Sequence, residues 1–234
     1  MESADAVLVQ RRYARLAGAL LLGVMAVALG AGAVLSRIAG DGTPAETAAR
    51  IAASEHWYRG ALAALVLVSF GTACLAFALY ATLRPVNRLL AQLAMIFALA
   101  DSLLALVVRM SSFVRAELYV SSLTAGEGQG AARQMAGLMQ TIAGVTENIG
   151  GISFGIGMLL FFYLFLKSRY IPRALAGLGV AAAALWAIAY VAMLVFPEHH
   201  SRFLAVCLPP MALADVGTGV YLTLFAVKAE GRSD

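Results

Sequence analysis

The sequence predicts an all-α, polytopic membrane protein: six transmembrane helices, with short interfacial helices in the outer loops, forming a single integral membrane domain over 1–234. Three observations lead there. Of 234 residues, 62% are hydrophobic and 13% charged, and the mean hydropathy is +0.84, which is more apolar surface than one soluble core can hide. The apolar residues gather into runs near the ~20 residues that cross a hydrocarbon layer of ~30 Å. The charges sit in small groups between those runs, so the pI near 9.3 reads as a topology signal, and no nucleic-acid partner is expected.

Spans are placed at roughly 16–37, 58–83, 88–110, 147–167, 172–196 and 203–228. The first follows a basic flank, "RRYARLAGALLL", and its apolar run from Leu16 to Leu35 exceeds a signal-peptide core, so it is read as an uncleaved helix. After it, Thr43 and Pro44 suit the N-cap and first position of a short interfacial helix. Trp57 and Tyr58 then stand where aromatic belt residues do. "LRPVNR" joins the second and third spans, with Pro85 ending one helix and Asn87 capping the next.

From Ser111 to Thr146 the reading is an outward extension of the third span, a turn near Gly126 to Gly130, and a helix from about Ala131 that runs into or packs beside the fourth. In the fourth span Gly151 and Gly155 have the small-xxx-small spacing that lets helices approach closely, though glycine is also simply commoner in membrane helices. "KSRYIPR" makes the short link to the fifth. Cys74 and Cys207 lie in separate apolar runs and are read as packing residues.

Arg11, Arg12, Arg15, Arg84, Arg88, Lys167, Arg169, Arg173, Lys228 and Arg232 fall on the side of the termini, while the arginines of the other side are nearly balanced by acids. The positive-inside rule therefore predicts cytoplasmic termini.

The segments "LRPVNRLLAQLAMIF" and "GIGMLLFFYLFLKSRYIPRALAGLGV", with the basic start already quoted, resemble the uncharacterised bacterial membrane family filed as domain of unknown function 4386 (DUF4386). The likeness spans about Arg11 to Val227 and is one of short inner loops and hydropathy. It implies the six-helix architecture and a bacterial cytoplasmic (inner) membrane, and it supplies no activity. Members often carry an arginine and an acidic residue at the positions of Ala98 and Asp101 and a histidine near Gly157. Only the acidic character of Asp101 is kept here, so histidine-based haem or metal ligation does not carry over.

Ionisable side chains inside a bilayer are expensive, and Asp101, Glu147 and Asp215 qualify. At a rise of about 1.5 Å per residue, Asp101 and Asp215 fall at similar levels of the outer half, while Glu147 and Arg109 meet near the outer boundary as a plausible ion pair. "CLPPMALADVG" raises a further possibility. Pro209 and Pro210 deprive the carbonyls of Ala205 and Val206 of helical donors, and irregular backbone at membrane depth is tolerated mainly beside protein or a wet cavity. One reading is an outward-opening polar pocket near Asp215; the other is that the prolines only begin the sixth helix.

Three functions compete. The leading one is a protein that binds or carries a small or lipid-like amphiphile, with Asp101, Arg109, Glu147, Asn148, Tyr190 and Asp215 as ligand-binding residues. The second is an intramembrane enzyme using a protonated Asp101, Asp215 or Glu147 as general acid on a lipid-like, for example isoprenoid, substrate, with Phe97, Phe154 and Tyr190 stabilising a cation. The third is a non-catalytic subunit or regulator that presents the glycine face of the fourth span to a membrane-protein partner. No cofactor is expected, and no metal: "PEHHSR" lacks the i, i+4 histidine spacing of a helical metal site.

Overall fold

A computed structural model describes residues 2–40, 43–122 and 129–226. Its helices are α1 (Glu2–Ala39), α2 (Pro44–Ala53), α3 (Glu55–Leu83), α4 (Arg88–Ser122), α5 (Gln129–Ser168), α6 (Arg173–Val195) and α7 (His200–Phe225), with a 3-10 turn at Pro197–His199 before the last. No strand occurs among the described residues. All but α2 and the 3-10 turn are long and apolar enough to cross a membrane, and each presents apolar side chains outward, among them Leu29, Leu67, Leu103, Ile149, Ile188 and Leu213. The chain is a multi-pass membrane protein.

The boundaries follow local chemistry. Thr43 Oγ1 accepts from Glu46 N at 3.3 Å while Glu46 Oε2 accepts from Thr43 N at 2.9 Å, a reciprocal cap with Pro44 behind it that starts α2. Asn87 Oδ1 accepts from Leu90 N at 3.0 Å and starts α4. The extension beyond the third span runs to Ser122, and the helix predicted near Ala131 is continuous with the fourth span as α5. The turn predicted near Gly126 falls outside the described residues, and Gly130 already belongs to α5.

The prolines differ from both expectations. α7 neither breaks nor begins at Pro209 and Pro210, which lie inside it. At about 100° per residue they stand some 120–140° around the helix from Asp215. Pro209 and Val206 are on the exposed side, whereas Asp215 shares the buried side with Cys207, Met211, Ala214 and Thr218. The freed carbonyls and the carboxylate therefore do not form one constellation.

Contacts group the described residues into two compact units. The first draws on residues 2–24, 71–102 and 148–226; the second on 25–40, 43–70, 103–122 and 129–147. In the first, small residues such as Ala17, Ala78, Ala94, Ala98 and Ala183 interleave with Phe161, Phe162 and Phe165, the pattern that brings helices close where lipid gives no hydrophobic drive. Gln10 ties its polar end, Nε2 donating to Thr82 O and to Tyr170 Oη, each at 2.9 Å.

In the second unit, Ile51, Tyr58, Leu62 and Ala116 form a buried cluster with Leu35 and Phe113 packed against it. Arg50 donates to Ala39 O at 2.7 Å, satisfying a carbonyl at the end of α1 and anchoring α2 there. Arg59 pairs with Glu55 one turn before it and with Glu117 of α4.

Candidate functional site

A cavity of about 280 Å³ lies within the second unit. α1 contributes Leu35, Ser36 and Ala39, and α3 contributes Tyr58 and Leu62. Val108, Arg109, Ser112 and Arg115 come from α4, and Gln140, Ala143, Gly144 and Glu147 from α5. The last two sets follow from helical periodicity: residues 109, 112 and 115 rise three apart on one side of α4, and 140, 144 and 147 rise four and then three apart on one side of α5.

Counted at about 1.5 Å per residue, the cavity falls near a membrane boundary. A hydrocarbon layer entered at Leu89 ends about 20 residues later, near Val108, so Arg109 stands at the edge and Arg115 about 9 Å beyond it. Counting back from Leu166 along α5 brings Glu147 to the same edge, with Gln140 about 10 Å beyond. Its lining combines the aliphatic Leu35, Leu62 and Val108 with the polar Arg109, Arg115, Gln140 and Glu147.

Arg115 holds the polar side together. Its Nη2 donates to the Tyr58 hydroxyl at 3.3 Å, while its Nε is buried with no hydrogen-bond partner. Tyr58 itself is 2% exposed, so the phenol is fixed by packing and the guanidinium by the phenol. Ser112 donates to Val108 O of its own helix at 2.9 Å. Two guanidiniums face one carboxylate around the cavity, leaving a positive surplus.

Of the residues proposed from sequence, Arg109 and Glu147 line this cavity. Glu147 is exposed there and Arg109 half-buried. Asp101, Asn148, Tyr190 and Asp215 belong to the first unit and do not line it. Asp101 is half-buried on α4. Tyr190 stacks on Trp186 with ring centroids 5.0 Å apart, and Trp186 meets Phe154 edge-on at 5.5 Å. Asp215 Oδ1, Thr218 Oγ1 and Asn148 Oδ1 are buried without a hydrogen-bond partner.

Sequence reasoning missed Arg115, Ser112, Gln140 and Tyr58 as site residues. The three-residue spacing of "RMSSFVR" is the available signal on α4, while from sequence Tyr58 reads only as a belt residue. Among the described residues, no three His, Cys, Asp or Glu side chains group as a metal centre needs.

No curated protein and no solved structure matches the chain. Residues 16–225 match the family described as domain of unknown function DUF4386. With that match covering most of its length, and with six apolar helices as its architecture, the chain belongs to the DUF4386 family.

Proposed function

We propose that this protein binds a small or lipid-like amphiphile in the boundary cavity of its second unit. The observation that carries the reading is the cavity itself: about 280 Å³ lined both by the aliphatic residues Leu35, Leu62 and Val108 and by the charged residues Arg109, Arg115 and Glu147. That volume lies near the lower end of the ~300–1,000 Å³ usual for small-molecule sites, which suits a head group with its apolar remainder outside. The anchors are Arg109, Arg115 and Glu147, in place of the paired aspartates. The setting is a bacterial cytoplasmic membrane with both termini inside, supported by the basic residues Arg11, Arg12, Arg15, Arg84, Arg88, Lys167 and Arg173 on the terminal side.

The general-acid reading has one observation in its favour, the buried and unpartnered Asp215 Oδ1, but Asp215 does not line the boundary cavity. The subunit reading loses its proposed surface. A Cβ on Gly151 would lie 2.1 Å from the Tyr190 ring and one on Gly155 2.8 Å from Ala187 N, so that glycine face is already covered by α6.

The test is retention of ligand by the purified chain. Gly144 faces the cavity, and a Cβ there meets nothing within 4 Å, so Gly144→Leu fills the space without a backbone clash. Mass spectrometry of small molecules co-purified in mild detergent is expected to find an amphiphile with the wild type and to lose it with Gly144→Leu. Equal retention by both proteins would refute the cavity as the site.

A further inference from the structure

We infer that the cavity recognises an oxyanion, the phosphate or carboxylate of a lipid-borne head group, and that Arg115 is its principal anchor. The inference rests on the binding reading above and deepens it by naming the ligand's charge. Arg115 is a half-buried cation on the cavity wall with no acidic partner among the described residues. The carboxylate that comes nearest in sequence, Glu117, is engaged by Arg59. Charges withdrawn from water are ordinarily paired, because the desolvation of a lone ion is not recovered by packing.

Arg115 has only a neutral phenol, and that phenol accepts rather than neutralises. Its Nε–H remains buried without an acceptor. Having accepted from Arg115, the Tyr58 hydroxyl keeps its own proton to donate, so both groups offer donors beside the same space. A guanidinium presents its donors as a planar fork that matches an oxyanion with two acceptor oxygens. Glu147 lines the same cavity from a different helix, is exposed, and as one carboxylate against Arg109 and Arg115 leaves the charge of the lining positive.

The depth of the cavity favours a lipid as the bearer of the anion. Arg115 lies about 9 Å beyond the end of the hydrocarbon layer, which is the level of head groups, while Leu35, Leu62 and Val108 continue the wall toward the apolar side. A free anion would use the donors and leave the aliphatic wall unused.

The experiment uses the full chain in mild detergent and follows binding by native mass spectrometry and by thermal stability. The probes are phosphatidylglycerol, phosphatidylcholine with the same acyl chains, and inorganic phosphate. Phosphatidylglycerol is expected to bind more tightly than phosphatidylcholine, and Arg115→Gln to weaken it by about tenfold or more, the effect of losing a charge-assisted hydrogen bond. Arg115→Lys, which keeps the charge and loses the fork, is expected to fall between. Arg37→Gln, an exposed cation outside the cavity, is expected to change nothing.

If Arg115→Gln does not fold, Gly144→Leu keeps the question open, because it must then abolish the preference for phosphatidylglycerol. Equal binding of both lipids, unchanged by Arg115→Gln but lost in Gly144→Leu, would overturn the charge recognition while sparing the cavity. Phosphate alone protecting as well as phosphatidylglycerol would overturn the lipid-borne source. Binding of no probe by any variant would remove the underlying reading as well.

Discussion

Replacing Gly18 by alanine tests how tightly α1 and α7 are joined. A Cβ at Gly18 would lie 2.6 Å from Thr223 N, 2.6 Å from Thr223 Oγ1 and 2.8 Å from Gly219 O. Ordinary contact begins near 3.4 Å, so the helices must part by about 0.8 Å, and two of the three obstacles are backbone atoms that cannot rotate away. The Thr223 Oγ1 to Gly219 O hydrogen bond of 2.7 Å lies in the same place. Overpacking of this kind costs about 1–3 kcal/mol. Removing a mid-helix glycine returns about 0.5–1 kcal/mol, leaving a net loss of roughly 0–2.5 kcal/mol. Gly144→Ala supplies the control, since its Cβ meets nothing within 4 Å and only the helix-propensity gain of about 0.5–1 kcal/mol remains. Subtracting one variant from the other cancels propensity and isolates the clash. Equilibrium unfolding in mixed detergent micelles measures both, and a difference below about 0.3 kcal/mol would show that α1 and α7 are not in contact at Gly18.

Other substitutions probe single interactions. Gln10→Ala removes two hydrogen bonds of 2.9 Å and is expected to lower stability by about 1–3 kcal/mol in the same titration, at roughly 0.5–1.5 kcal/mol per bond. Asp215→Ala should be neutral or stabilising by up to about 2 kcal/mol, because Oδ1 has no partner to lose; a loss above ~2 kcal/mol would reveal a bound group at that carboxylate. The Arg59–Glu117 pair has side chains 41% and 66% exposed, so a double-mutant cycle on Arg59→Gln and Glu117→Gln is expected to give a coupling under ~1 kcal/mol after solvent screening.

Much of the fold could be read from local chemistry. Apolar runs located the six spans, and Thr43 and Asn87 announced helix starts because an N-cap needs only a short side-chain acceptor beside free amides. The site was legible only where depth mattered. Arg109 and Glu147 were found as charges near a membrane edge, while Arg115 and Gln140 lie in a stretch that reads as connection and were passed over. Tyr58 and Leu35 could not have been found that way, since nothing in the sequence brings the start of α3 and the end of α1 to the same space. The aspartates misled for a related reason: hydropathy gives a residue's level but not its azimuth, and the cavity is set by azimuth. At the prolines the hydrogen bonds lost are legible, whereas the continuation of α7 through them is not.

That uninterrupted α7 has a kinetic consequence. Each turn of an α-helix is carried by successive amide-to-carbonyl bonds, and Pro209 and Pro210 delete two in a row, those that would reach Ala205 and Val206. The ten residues before Pro210 are thus fastened to the rest of the helix by a thinned seam. Amides from Phe203 to Leu208 should exchange with deuterium through local opening, on a faster clock than those from Met211 to Leu222, whose buried face is anchored by Met211, Ala214 and Leu222. A helix that looks continuous would then open as two pieces, with the proline pair marking where one cooperative segment hands over to the next.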